Sequence, residues 1–253
     1  MKPQILASAI ALAGTAAPAQ DLSRTLPDAV TAVAPALADY ATRDLFGTVW
    51  TDGTLSMRDR ALVTVAALIT RHETDALGRH VALAVDAGVT PAELSETVTH
   101  LAFYTGWGNA TAAAEAMAPV FAAHGVRAQD LPPLDPERLP QDAEAEAARE
   151  ATVQTNFAEV SPGVVATTRE LLFNDLWLRP DLAPRDRSLV TVAALIAAGQ
   201  PEQMTFHLNR AMDNGLTQAE AGAMLSHLAF YAGWPRVFSA LPVARQVFAD
   251  RAN

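Results

Sequence analysis

A chain of 253 residues, half of them hydrophobic, can bury one large core or two of ordinary size. Its formal net charge of −10 argues against a nucleic-acid binder, which needs clustered Lys and Arg to displace counterions from phosphate. The absence of cysteine removes disulfides, thiolate nucleophiles and cysteine-ligated metals together.

Lys2, the short apolar stretch Ile5 to Ala13 and the small-x-small run Ala17-Pro18-Ala19 read as a signal peptide over 1–19, and so as export to the periplasm or beyond. No later apolar run is long enough to span a bilayer, so no membrane contact is expected after cleavage. Leu26 to Trp50 reads as helical turns broken near Pro35. A helix follows from Ser56, an N-cap with Asp59 as its capping partner. Its Leu62, Val65, Ala66 and Ile69 share one apolar face. A second helix, about Asp75 to Ala87, stops at Gly88, and Thr90-Pro91-Ala92-Glu93 opens a third that runs to Gly106. A fourth spans about Ala110 to Ala123. No strand-period alternation of useful length appears, and the expected class is all-α.

The same text then recurs on a constant offset of 127 residues. ThrHisLeuAlaPheTyrThrGlyTrp at 99–107 returns as SerHisLeuAlaPheTyrAlaGlyTrp at 226–234, and ArgAspArg at 58–60 returns at 185–187. Roughly half the positions between Arg58 and Trp107 are identical without a gap, which marks a tandem repeat of one folding unit. The expected organisation is a first repeat over 25–124, a Pro-rich and acidic linker over 125–150, and a second repeat over 151–250. The acidic part of the linker is expected to be helical and solvated.

On a helical wheel Glu93, His100, Tyr104 and Trp107 fall on one stripe, matched by Glu220, His227, Tyr231 and Trp234. An acid, an imidazole, a phenol and an indole on one stripe could line a pocket for proton transfer. The bland alternatives are that the glutamates cap their helices and that the aromatic residues only pack. His80 and His207 persist beside the apolar stripe of the second helix while most of their neighbours change, and a histidine can exchange protons near neutral pH without a cofactor. Arg60 and Arg187 could each pair with a substrate carboxylate, although ArgAspArg at a helix start also reads as a charge cluster favoured by the dipole. No His-x-x-x-His or Glu-x-x-His spacing suggests a metal.

Three stretches in order, ArgAspArgSerLeuValThrValAlaAlaLeu (185–195), PheHisLeuAsnArgAlaMetAspAsnGlyLeuThr (206–217) and HisLeuAlaPheTyrAlaGlyTrpPro (227–235), resemble the carboxymuconolactone decarboxylase family of the alkylhydroperoxidase D-like superfamily. The first repeat is a looser match. The resemblance implies helical units assembled as trimers or hexamers of domains, here a homo-oligomer of three two-domain chains. The peroxidase branch carries Cys-x-x-Cys ahead of the second-helix histidine. Glu73 and Ala76, and Gln200 and Gln203, stand there instead, so its thiol route is excluded. An acid frequent before the first-helix leucine is replaced by Ala61 and Ser188. The decarboxylase branch implies a lyase without cofactor or metal, acting on a small carboxylate or lactone. His207 and His227 would move the proton, Arg187 would hold the carboxylate, and Tyr231 and Trp234 would form the wall. His80, His100, Arg60, Tyr104 and Trp107 offer the same set in the first repeat. The competing expectations are a non-catalytic helical scaffold and a peroxidase relative in label only.

Overall fold

The computed structural model describes Leu22 and residues 25–252, so the expected signal peptide at 1–19 lies outside the described residues. Each repeat opens with short helices started by proline: α1 (Asp28–Val33), with Pro27 as its N-cap, and α2 (Pro35–Tyr40) in the first, α8 (Pro162–Thr167) in the second. α2 widens into π-helical turns over Ala41–Val49, and α8 does the same over Thr168–Phe173. These turns deliver Trp50 and Trp177, 1% and 2% exposed, into the core. No hydrophobic periodicity announces a π-helical stretch, and the sequence reading held only helical turns here.

The first repeat continues with α3 (Met57–Thr70), α4 (Thr74–Asp86), α5 (Pro91–Thr105) and α6 (Trp107–Ala123). Ser56 caps α3 by accepting from Asp59 N, and Thr90 with Glu93 forms a capping box on α5. The second repeat supplies α9 (Pro184–Ala198), α10 (Met204–Asp213), α11 (Gln218–Ala232) and α12 (Trp234–Ala252). No strand occurs among the described residues.

α3 and α9 pack against each other at the centre of the molecule, and each is covered by helices of both repeats. The single apolar face expected for α3 is therefore too narrow a description. Every residue from Asp59 to Ile69 is buried, as is every residue from Asp186 to Ala197. A helix buried all round needs apolar residues all round, and both segments have them. Asp59 and Asp186, the buried acids at the two helix starts, pair across the pseudo-twofold axis. Arg58 donates to Asp186 at 2.7 Å and to Glu93, while Arg185 donates to Asp59 at 2.8 Å and to Glu220 at 3.2 Å. The ArgAspArg motif thus ties the two repeats together at paired helix N-termini.

The acidic run of the linker forms α7 (Ala143–Phe157), capped by Asp142, which accepts from the N–H groups of Glu144 and Ala145. It is helical and largely exposed, as expected, with no buried residue. Arg149 turns inward, and its guanidinium lies 3.8 Å from the centre of the Phe173 ring. No helix among the described residues is long and apolar enough to cross a membrane.

Candidate active site

The crossing of α5 onto α9, and of α11 onto α3, builds two related clusters from residues of both repeats. Grouping by repeat, with His207 beside His227 and Tyr231, is therefore corrected by the structure. His207 of α10 meets Tyr104 of α5 edge-on, with ring centres 5.3 Å apart, and stacks on Trp177 at 5.7 Å and 11°. His80 of α4 meets Tyr231 of α11 edge-on at 5.5 Å. Behind these pairs, His100 lies 4.9 Å from Tyr104, and His227 lies 5.0 Å from Tyr231.

The aromatic wall also differs from expectation. Gly106 and Gly233 take φ of 93° and 89°, a backbone that L side chains rarely adopt. The stripe running through His100 and Tyr104 ends there, and the next residue starts a new helix in another direction. Trp107 and Trp234 are consequently 62% and 51% exposed, packed on Phe103 and Phe230 rather than on the histidines. Trp50 and Trp177 take the inner places, and their indole N–H groups donate to Tyr231 and Tyr104 hydroxyls at 2.9 Å in both cases. Their recurrence on the 127-residue offset was the signal for them. Glu93 and Glu220 serve their capping boxes and the inter-repeat arginines, as in the bland reading.

The hydrogen bonds settle the protons. Thr191 has one hydroxyl proton and gives it to the Arg187 carbonyl at 2.7 Å, so it accepts from His100 Nε2–H at 2.7 Å. His100 Nδ1 is then a lone pair, which receives Arg187 Nη1–H at 3.3 Å. By the same logic Thr64 donates to Arg60 O and accepts from His227 Nε2–H at 2.7 Å. His80 Nδ1–H donates to Ala76 O at 3.0 Å, which fixes its tautomer. His207 follows a short 3₁₀ turn, Pro201–Gln203, and its buried Nδ1 has no partner.

Arg60 and Arg187 spend their hydrogen bonds on the protein, although the buried Nε of Arg187 has no partner. Arg187 Nη2 donates to Glu96 and to the Arg179 carbonyl, both at 2.9 Å, and Arg179 donates to the other Glu96 oxygen at 2.8 Å. Arg60 donates to the backbone carbonyls of Leu55 and Asp52 at 3.1 and 2.7 Å. At 0% and 1% exposure they position the clusters instead of reaching outward.

Burial keeps every imidazole here neutral. It lowers His80, and it lowers His100 and His227 well below the usual histidine range, with Arg187 and Arg60 adding to the effect. His207 is lowered to about 4, by burial first and the Arg210 charge second. Tyr104 and Tyr231 are pushed up by burial and stay protonated. Among the described residues, no three His, Asp or Glu side chains converge to hold a metal.

A cavity of about 410 Å³ opens beside the His207 cluster, between α7 and α10, with Arg149, Arg210, Phe206 and Leu178 among its walls. Arg210 lies 4.1 Å from the centre of the Trp177 ring, so it stands between the cavity and the stack that holds His207. Arg149 and Arg210 were not singled out in the sequence, because neither recurs on the repeat offset.

The carboxymuconolactone decarboxylase family model matches twice, over 35–119 and 162–246. The chain is 37% identical over 78 residues to a 4-carboxymuconolactone decarboxylase of Acinetobacter baylyi, covering 31% of this chain and 58% of that one. It is 31% identical over 84 residues to a nitrosuccinic acid decarboxylase of Metarhizium robertsii, covering 33% and 59%. The chain thus spans less than two thirds of the length of either relative. A solved chain assigned as a gamma-carboxymuconolactone decarboxylase subunit, from Burkholderia xenovorans, superposes with a TM-score of 0.56 at 19% identity, over 92% of this chain and 94% of that one. That likeness shows a shared fold. With the repeats, the buried His–Tyr–Trp clusters and the two family matches in place, the chain belongs to the carboxymuconolactone decarboxylase family.

Proposed function

We propose that the chain is a cofactor-free carboxy-lyase acting on a small carboxylated lactone or related acid, with His207 returning the proton. The observation that carries this reading is a buried neutral imidazole whose Nδ1 has no partner, held between Trp177 and Tyr104. The decarboxylase names of two relatives support the reaction class.

Decarboxylation breaks one C–C bond, leaves its electron pair on the substrate as an enolate, and consumes one proton as the product carbon is quenched. Burial and the Arg210 charge hold His207 at about 4. A substrate carboxylate beside the ring counters the Arg210 charge and raises the affinity of the imidazole for a proton. His207 then charges as substrate arrives; it does not itself line the cavity, so delivery of that proton to carbon requires the Arg210 side chain to swing aside. Tyr104, held by the Trp177 N–H, offers its hydroxyl proton to the developing enolate oxygen.

The test is His207→Gln in a CO₂-release assay with small carboxylated lactones, alongside circular dichroism. Turnover should vanish while helicity stays; full turnover in the variant would sink the assignment. Loss of stability with no lyase activity in the parent chain favours the scaffold reading.

Self-association belongs to the same proposal. Trp107, Trp234 and Phe238 form exposed apolar surface, and light scattering should give a multiple of the chain mass. Export with cleavage after Ala19 is proposed as well, and intact mass of the N-terminus checks it.

A further inference from the structure

The two clusters share their His, Tyr, Trp, Arg and Thr, so the positions where they differ carry information. Counted back by the 127-residue offset, Arg149 of the linker helix falls on Leu22, just ahead of the first repeat, and Arg210 of the second repeat falls on Leu83. Both leucines are buried in the core, Leu22 at 0% and Leu83 at 6% exposure. The two guanidiniums instead face a cavity.

Both guanidiniums have unused donors. Arg149 is 10% exposed and spends Nε and Nη2 on Glu146, but its buried Nη1 has no hydrogen-bond partner. Arg210 has no ion pair or side-chain hydrogen bond within contact distance among the described residues; it meets ring faces at 4.1 Å (Trp177) and 5.8 Å (Phe173) and feels the Glu146 charge from further off. An unpaired, partly desolvated cation is costly to maintain by packing alone. The acidic groups around the cavity are already engaged: Asp142 caps α7, Glu146 holds one edge of Arg149, and Asp213 pairs with Arg251 at 2.8 Å.

We propose that Arg149 and Arg210 form a two-point clamp for a dicarboxylate, present once per chain and only at the His207 cluster. The inference deepens the lyase reading, since a substrate held there brings its anionic groups to the layer in front of His207. It gives the linker helix α7 a role as the wall that completes the site. The His80 cluster, lacking both cations, serves the packing of the fold.

Titration calorimetry with succinate, glutarate and adipate, and with dimethyl adipate as an uncharged control, tests the clamp. At least one dicarboxylate should bind with a stoichiometry of one per chain, weakening with added salt, while the diester does not bind. Arg149→Leu and Arg210→Leu install the residues found 127 positions earlier, so folding should be preserved. Each should weaken binding by about tenfold or more, the scale of a lost charge-assisted contact. Two sites per chain, unchanged affinity in the double leucine variant, or no binding by any of the three acids overturns the proposal. The lyase reading fails separately: His207→Gln with intact turnover condemns that reading whatever the binding data show. Intact KM in the leucine variants, with turnover abolished by His207→Gln, condemns only the clamp.

Discussion

Glu96 offers the sharpest quantitative test of how the His207 cluster is held. Its carboxylate is 1% exposed and lies between Arg187, fully buried, and Arg179. Replacing it with Gln keeps the shape and one acceptor oxygen but strips the charge that compensates Arg187. Breaking a buried pair from one side typically costs 3–5 kcal/mol, and the retained acceptor places Glu96→Gln near the lower end, about 3 kcal/mol. For a chain of this size that corresponds to a fall in melting temperature of roughly 6–12 °C. The other cluster supplies the control. Ala223 stands where Glu96 would be, and Arg60 has only the half-exposed Asp52, at 3.7 Å. Asp52→Asn should therefore cost below about 0.5 kcal/mol. Urea titrations of both variants at pH 7 give the comparison. A loss in Glu96→Gln no larger than in Asp52→Asn would show that Arg187 is compensated by its backbone carbonyl partner, and the reasoning would fail.

Acid should destabilise the fold through His207. Its folded value of about 4 lies below the 6.5 of the exposed side chain, so the unfolded state binds more protons between those limits. Stability is fully present above pH 6.5 and lost as pH falls through 4, by about 3 kcal/mol from this residue. His207→Gln should flatten that part of the pH profile of the urea midpoint; an unaltered profile speaks against a neutral His207. Trp177→Phe removes the N–H that donates to Tyr104, and should cost about 1 kcal/mol for the hydrogen bond plus the lost ring volume. If Tyr104 acts on substrate, the same change lowers kcat more than it raises KM, which steady-state kinetics separates. His72 has φ of 58° where the second repeat places Gly199 at 77°. His72→Gly should raise stability by up to about 1 kcal/mol, and an unchanged unfolding midpoint would indicate that the His72–Asn109 contact offsets the backbone strain.

The repeat, the helical class and the helix limits were legible because they rest on identity at fixed spacing and on capping chemistry. Thr90 with Glu93 announced a helix start, and the structure has that box and its counterpart at Thr217 and Glu220. The cross-pairing of the clusters was not legible. A wheel places His100 and Tyr104 on one side of α5, but with two near-identical units it cannot say whether that side meets its own repeat or the other. Trp107 misled because it continues the stripe in sequence while Gly106 turns the chain away. Arg149 and Arg210 escaped because attention went to what the repeats share. The informative contrast at those positions was Leu against Arg, a charge gained in one copy only.

Each tyrosine helix leaning across to the opposite half makes the polypeptide a dimer of itself, joined by a covalent tether. Two identical subunits related by true symmetry would be bound to carry every substitution at both centres, useful or harmful. Joining the halves lifts that constraint. One centre was free to acquire cations and an opening while the positions 127 residues earlier kept buried leucines. The same geometry means that a change made in either half is felt at the centre nominally credited to the other, so inheritance by half and chemistry by centre follow different partitions of the chain.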